Sequence, residues 1–324
     1  MRGAYAIGVD VGGTRIAAGL VERKGRIVRE SKVLTPKAAG PFGIVDAIVG
    51  MIDELTGGIH PSEIAGVGMG LPAQVDFQRQ SVEFSTNLPL GGVDVRGLVM
   101  SRLKYPVTID NDGHTAALGE SKFGAAKGIK DFVMVTLGTG VGGGVFIGGH
   151  LIRGSRGFGG EVGHVVIDVD GPPCPCGGKG HLESYAARPA IIRAAQLAAA
   201  SYSGASITRL AGGDEAAITA EMVIEAANAG DEAAVEIMAH VGDMLGEAMV
   251  GLVNVLNPQA IVVGGGIGES CPLVSERAAA RVAAEALAGR RDIKVLVAEL
   301  GNDAGVAGAA ALAFEDHDSR EGMH

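Results

Sequence analysis

The chain has no tryptophan and only 4% aromatic residues, so its interior must be built from aliphatic side chains and alanine. It has three cysteines in 324 residues, too few for the disulfide framework of a small secreted scaffold. No window supplies the roughly 18 uninterrupted apolar residues of a membrane-spanning helix, which argues against a membrane protein. Positive charge is scarce: 27 Lys and Arg against 37 Asp and Glu give a net charge of −10, which opposes nucleic-acid binding because that requires a basic face. The opening residues run straight into a strand-like segment with neither an apolar signal region nor a cleavage site, so the expected location is the cytoplasm, where thiols stay reduced.

What is present is an ordinary globular composition, 47% hydrophobic and 20% charged. A chain of 324 residues exceeds the usual size of a single core, so two domains are expected. The 53 glycines suggest many tight turns, some of them at places where backbone must approach a ligand.

The rarest chemistry lies between Glu161 and Glu183. Cys174 and Cys176 sit one residue apart, His181 follows, and His164 precedes them, which makes four nitrogen or sulfur ligands in one short segment. A closed tetrahedral zinc site requires such a set, and Gly177, Gly178 and Gly180 would let the backbone fold tightly around it. The alternative is a glycine turn with two thiols and two surface histidines. A disulfide between Cys174 and Cys176 is discounted as a strained, very small ring. Glu161 and Glu183 bracket the segment, and a metal holding one nitrogen of His164 would leave its other nitrogen for ligand recognition.

The chain opens with strands at Tyr5 to Asp10, Arg15 to Val21 and Ile27 to Leu34, a meander whose first turn reads Val11-Gly-Gly-Thr14. A dinucleotide or P-loop site would have its glycine loop open a helix, so this is either a different kind of phosphate turn or a plain hairpin. In the phosphate reading Gly12 and Gly13 bare backbone amides, Thr14 adds a hydroxyl, and Asp10 holds a metal ion through water. A helix-like Gly43 to Leu55 leads to a strand from Ile64, then Asn87 before Leu-Pro, and a strand from Val107 that ends in Asp110-Asn111-Asp112. A helix follows to Phe123.

The opening pattern then recurs: strand Phe132 to Leu137, turn Gly138 to Gly144, strand Val145 to Ile147 and a short strand His150 to Ile152. Gly138-x-Gly140-x-x-Gly143 formally matches a dinucleotide fingerprint, but a strand follows it, so that match is rejected. Two related halves, each with a phosphate hairpin, imply a nucleotide between them. Helices are expected at Tyr185 to Ala200, Thr219 to Ala229 and Asp231 to Asn257, the last with Met238, Val241, Leu245, Met249, Leu252 and Leu256 as one apolar stripe. Strands at Ala260 to Val263 and Ile293 to Ala298 flank a glycine turn, Gly264 to Ile267, and a closing helix Asn302 to Leu312 precedes a frayed polar tail.

Taken in order, Asp10-x-Gly-Gly-Thr14, Asn111-Asp112, Leu137-Gly-Thr-Gly-x-Gly142, Glu161-x-Gly-His164, Cys174-x-Cys176-Gly-x-x-Gly-His-x-Glu183 and Gly264-Gly-Gly266 resemble the ROK sugar kinases, bacterial ROK glucokinases above all. The resemblance spans nearly the whole chain. It implies an α/β, two-lobed actin-like (ribonuclease-H-like) ATPase fold with a central cleft for ATP and Mg²⁺. The small lobe would be residues 1–115, completed by the terminal helix at about 302–314, the large lobe 116–301, and the tail 315–324. Carried over residue by residue, Asp112 takes the proton from the sugar hydroxyl, and Asn87, Asn111, Glu161, His164 and Glu183 bind the sugar with it.

Asp10, Gly12, Gly13 and Thr14, with Gly138, Thr139, Gly140, Gly264, Gly265 and Gly266, would hold the nucleotide and its phosphates. His164, Cys174, Cys176 and His181 would hold a structural zinc. Two departures from the family stand out: His181 replaces its third loop cysteine, and His114, to which no role falls, replaces an asparagine. A homo-oligomer, dimer or tetramer, is the family expectation. Repressor members carry an added N-terminal helix-turn-helix, which is not expected in a chain that opens on the first strand. Rival readings are a kinase for N-acetylmannosamine, mannose, fructose or allose, a polyphosphate-using glucokinase, and a non-enzymatic sugar sensor.

Overall fold

A computed structural model describes residues 3–76, 81–85, 87–201, 206–289 and 292–322, with backbone only at 200 and 201. The chain divides into two compact units, one of Met1–Gly128, His150–Gly160 and Asn302–His324, the other of Ile129–Gly149 and Glu161–Gly301.

The first unit opens with β1 (Tyr5–Val11), β2 (Arg15–Glu22) and β3 (Ile27–Leu34), an antiparallel meander at the expected places. Helix α1 (Gly40–Thr56) leads to β4 (Ile64–Leu71), and β5 (Val107–Asn111) runs directly into α2 (Asp112–Phe123). The sheet order is β3-β2-β1-β4-β5, with β4 parallel to β1 and β5 parallel to β4. Strand β4 is buried from end to end, as befits an inner parallel strand covered on both faces. Ile44, Val45, Ile48, Met51, Ile52 and Leu55 form the stripe by which α1 joins that core.

The second unit starts with the hairpin β6 (Phe132–Leu137) and β7 (Val141–Ile147). After the cysteine-bearing loop come α3 (Arg188–Ser201), α4 (Ala220–Asn228), α5 (Glu232–Leu256), β8 (Ala260–Gly264), α6 (Pro272–Glu285) and β9 (Lys294–Val297). Strands β7, β6, β8 and β9 lie side by side in that order, β8 parallel to both β6 and β9. The layout repeats the first sheet: a hairpin extended by parallel strands. Among the described residues no helix is long and apolar enough to cross a membrane. The last helix, α7 (Ala304–Glu321), belongs to the first unit.

Several boundaries differ from expectation, each for a local reason. The turn in the second hairpin is Gly138 to Gly140 only; Gly142, Gly143 and Gly144 are strand residues paired with Thr136, Val135 and Met134. A Cβ on Gly143 would collide with Met134 O, so glycine here reflects close packing rather than a turn. The helix expected from Tyr185 is broken: a single turn, Glu183–Ala186, precedes α3, and Ala187 between them is extended. Pro189 has no N–H for a continued ladder but fits the first turn of a new helix. Gly264 to Ile267 is not a free turn, because Gly265–Ser270 is helical.

Helix α5 ends as expected at Asn257, in the left-handed region at φ 48 before Pro258. The tail assigned to residues 315–324 is helical through Glu321, and its last two residues lie outside the described ones. Arg23 pairs with both oxygens of Asp318 at 3.0 and 2.8 Å, and Lys122 pairs with Glu315 at 2.8 Å, which extends the helix beyond its apolar part. Helix α6 had not been anticipated, although Val274, Ala278 and Val282 form its buried stripe. The first unit also runs past the expected edge at 115, since all of α2 stays with it.

The packing that shapes the first unit is the approach of α7 to its sheet and to α2. Cβ atoms placed on Gly8 of β1 or Gly68 of β4 would collide with the carbonyls of Val306 and Ala309, and one on Gly308 with the carbonyl of Thr115 in α2. Backbone therefore meets backbone on both sides of α7. We expect Gly308→Ala to destabilise the protein by about 1–3 kcal/mol or more through overpacking. Gly50→Ala, on the exposed side of α1 with nothing within 4 Å, is expected to raise stability by up to about 1 kcal/mol. Thermal melts of the two variants check both signs.

Candidate active site

In the first unit the parallel strands β1, β4 and β5 bring their carboxyl ends to one edge, where open α/β sheets carry ligands. Register aligns Asp10 with Gly70 and Gly70 with Asp110, and Leu71 with Asn111. Asp10 is half-buried, and the Gly305 backbone of α7 is so close that a Cβ there would lie 2.6 Å from its carboxyl carbon. Burial alone pushes the Asp10 carboxyl up to about 6.

Beyond Asp10 the turn is pinned from within. Gly12 N donates to Arg15 O at 2.9 Å, Thr35 N to Thr14 O at 2.9 Å, and Thr35 Oγ1 to Gly12 O at 2.7 Å. The amides of Gly13 and Thr14 are not among these internal bonds, while that of Gly12 is. Asn87 is exposed and lies against Gly13, as does the ammonium of Lys37, a cation the sequence had not singled out.

Asn111 caps α2: its Oδ1 accepts from His114 N at 3.1 Å, and its Nδ2 donates to Ala73 O at 3.2 Å. That cap fixes Asp112 as the first residue of α2, where the helix N-terminus favours a carboxylate. Asp112 is half-buried, and its Oδ1 accepts from Gly113 N at 2.9 Å. Behind it lies a buried network. Asp110 accepts from His114 Nδ1 at 2.9 Å and from Arg153 Nε at 2.7 Å, and His114 Nε2 meets Gly159 O at 2.6 Å. Burial acts to raise Asp110, but His114 and Arg153 outweigh it and hold the carboxyl down at about 2.

The second unit assembles its own glycine site. Gly138 N donates to Gly140 O at 2.9 Å, and the Gly138 carbonyl accepts from Arg188 N at 2.9 Å. Thr139 is the middle residue of that turn. Gly265 at the end of β8 takes φ +78 and lies against Leu137, where a Cβ would collide with the backbone, so the 138–140 and 264–266 glycines are neighbours. The Arg188 guanidinium reaches toward Gly266 and pairs with Glu221. Glu183 accepts from Val141 N at 3.0 Å through Oε2, while its Oε1 stands 3.7 Å from Cys174 Sγ.

That thiol belongs to a cluster. One ligand atom from each of His164, Cys174, Cys176 and His181 lies within 4.8 Å of all the others. Cys176 Sγ is 3.2 Å from His181 Nδ1, and Cys174 Sγ is 3.9 Å from His164 Nδ1. Ligands at about 2.0–2.3 Å from a tetrahedral zinc stand about 3.3–3.8 Å apart, so the four side chains fit such an ion with small adjustments. The loop is folded by isolated bridges Val166↔His181 and Pro173↔Lys179 and by the turn bond Gly177 N→Cys174 O at 3.0 Å. Tyr185 donates to Asp168 at 2.7 Å across its base. Glu161, half-buried, precedes the single 3₁₀ turn Val162–His164 that aims His164 at the thiols.

The family model described as the ROK family matches residues 6–316. The chain belongs to the ROK family. This ROK chain is 37% identical over 313 residues to a glucokinase of Streptomyces coelicolor, a match covering 95% of this chain and 97% of that protein. A glucokinase of Thermotoga maritima is 34% identical over 311 residues, again 95% and 97% of the two chains. The crystal structure of a ROK family glucokinase from Streptomyces griseus in complex with glucose and AMPPNP superposes with a TM-score of 0.87 at 36% identity, covering 96% of this chain and 99% of that one. The fold is the two-lobed actin-like ATPase fold.

Within the first unit of the ROK chain, Asp10, the 12–14 turn and Asn111-Asp112 gather at one sheet edge, and Asn87 joins the turn. Within the second, the two glycine segments, Glu183 and the four metal-ligand candidates are brought together. Sequence reasoning missed the pairing of Asp110 with His114 and Arg153, and it missed Lys37 and Arg188; only Asp110 carried a signal, its place in the Asp-Asn-Asp triplet.

Asp10 yields a pH prediction with a definite sign. Its folded value of about 6 lies above the ordinary 3.8, so between these values the folded chain holds the proton that the unfolded chain releases. Ionised Asp10 thus destabilises the ligand-free fold above pH 6, and the penalty fades as pH falls toward 3.8. Asp10→Asn should therefore raise ligand-free stability at neutral pH, by at most about 3 kcal/mol, and much less near pH 4. Melts of both proteins across this range, without nucleotide or Mg²⁺, check it.

Proposed function

We propose that this ROK chain transfers the γ-phosphoryl group of ATP to a hydroxyl of glucose, forming glucose 6-phosphate, with Asp112 as the general base. The observation that carries the reading is Asp112's position: first residue of a capped helix, at the carboxyl edge of three parallel strands, in a chain over a third identical to named glucokinases. Phosphoryl transfer asks a protein chiefly for positioning and for neutralisation of phosphate charge. Asp112 would accept the sugar proton as the new O–P bond forms, a contribution of about 10²–10⁴ in rate. Asn87, Asn111, Glu161, His164 and Glu183 would bind the remaining hydroxyls, the amides and imidazole donating or accepting and the carboxylates accepting.

The nucleotide would lie against Gly12, Gly13 and Thr14 and against Gly138, Thr139, Gly140, Gly264, Gly265 and Gly266. Mg²⁺ supplies positive charge to the phosphates when bound, and the half-buried Asp10 carboxylate would hold it, through water, beside the first turn. The His164, Cys174, Cys176 and His181 set would take zinc in a structural role, since four protein ligands leave no open position for catalysis. The intact Asp112 and both glycine turns argue for an enzyme over a non-enzymatic sensor. We further propose a cytoplasmic homo-oligomer, dimer or tetramer, without nucleic-acid or membrane partners.

The direct test is a coupled assay of purified protein over a panel of glucose, mannose, fructose, allose and N-acetylmannosamine, with ATP and polyphosphate as donors. Glucose with ATP is expected to give the highest kcat/KM; another acceptor or polyphosphate in first place overturns that assignment. Asp112→Asn should still bind glucose by calorimetry while turnover falls by about 10² or more. Retention of a tenth of the activity removes Asp112 from the role of base. Metal analysis should find one zinc per chain, lost in His181→Ala together with a rise in glucose KM. A full complement of zinc in that variant excludes His181 as a ligand.

A further inference from the structure

His114 is the residue the family pattern does not explain, and it is almost wholly buried, at 2% exposure, one turn into the helix that Asp112 starts. Both ring nitrogens face acceptors: Nδ1 stands 2.9 Å from Asp110 Oδ1 and Nε2 2.6 Å from the Gly159 carbonyl. A neutral imidazole has one N–H and can serve one acceptor, so two acceptors on opposite sides require the ring to donate twice. Asp110, 3% exposed, also binds Arg153, whose Nε and terminal nitrogen both approach Oδ2 at 2.7 Å. The segment from Arg153 to Gly159 is closed by Gly159 N→Arg153 O at 2.9 Å. Its two ends are therefore gripped by neighbouring side chains, the Arg153 guanidinium by Asp110 and the Gly159 carbonyl by His114.

Replacement of Gly159 is also resisted sterically, since a Cβ there would stand 2.9 Å from Arg153 C and Gly154 N. Two residues further on, the same backbone carries Glu161. The buried pair thus ties the helix of the proposed base to the loop that leads into Glu161.

We infer that His114 is a positioning residue for the sugar-binding segment: doubly donating, it clamps the 153–159 loop, the stretch of chain that leads into Glu161, to the start of the catalytic helix. The inference rests on the kinase reading given above. Asparagine at 114 keeps a polar side chain but is too short to reach both acceptors, so the loop would lose its second anchor. The helix cap would survive, because Asn111 Oδ1 accepts from the His114 main-chain N–H.

The test compares the parent, His114→Asn and Arg153→Gln in glucose kinetics and in limited trypsin digestion. We expect glucose KM to rise about tenfold or more in His114→Asn with kcat changing by less than about threefold, because misplacing a binding group weakens acceptor binding before it touches the base. Cleavage after Arg153 or Arg156 should accelerate in the same variant. Arg153→Gln, altered at the partly exposed loop end of the clamp, removes one trypsin site but should likewise raise glucose KM and accelerate cleavage after Arg156, and it decides the matter if His114→Asn fails to fold.

Unchanged KM and unchanged cleavage overturn the inference. A fall in kcat at constant KM also overturns it, by showing that His114 acts on Asp112 and not on the loop. A parent protein that fails to phosphorylate glucose counts against the kinase reading instead, and the trypsin comparison still reads the clamp.

Discussion

The contact on which most else depends is the seating of the terminal helix. Helix α7 reaches β1, β4 and α2 at backbone distance, with Gly8, Gly68 and Gly308 leaving no space for a side chain. This single packing event closes the first unit with residues some three hundred positions from its start. It also sets the chemistry, because Gly305 of the same helix covers Asp10 and α2 carries Asp112 at its first position. Burial raises this carboxyl to about 6, so above that pH it is ionised at a cost to the ligand-free fold that a bound cation would offset.

The second unit couples its parts through one carboxylate. Glu183 fastens the amide at the foot of the 138–140 turn and stands beside a thiol of the His/Cys cluster. A loop that carries a proposed sugar ligand is thus bonded to the hairpin proposed for phosphate. If both proposed ligands bind as proposed, each bears on the orientation of this one side chain.

Much of this was legible in the sequence because local rules were obeyed. Glycine after an apolar run marked both hairpins, the stripe from Met238 to Leu256 marked α5, and Asn257-Pro258 marked its end. The candidate metal-ligand residues were visible from residue type and spacing, and the four side chains do converge. What escaped was decided by tertiary contact. Gly142 to Gly144 looked like a turn because glycine is ambiguous between freedom and close packing, and only Met134 and Val162 opposite Gly143 resolve it. The polar end of α7 looked frayed because its partners, Arg23 and Lys122, are distant in the chain. Arg153 and His114 gave no local signal, since a buried ion network has no periodicity to betray it.

The central claim is the proposed one, that one carboxylate at a helix start accepts a sugar proton while ATP gives up its terminal phosphoryl group. Phosphorus NMR of the purified protein with ATP, Mg²⁺ and glucose reads that transfer directly. The account requires ADP and glucose 6-phosphate to grow in equal amounts with no orthophosphate beyond the sugar-free control. Release of orthophosphate without sugar phosphate, or ATP that persists unchanged, would contradict it.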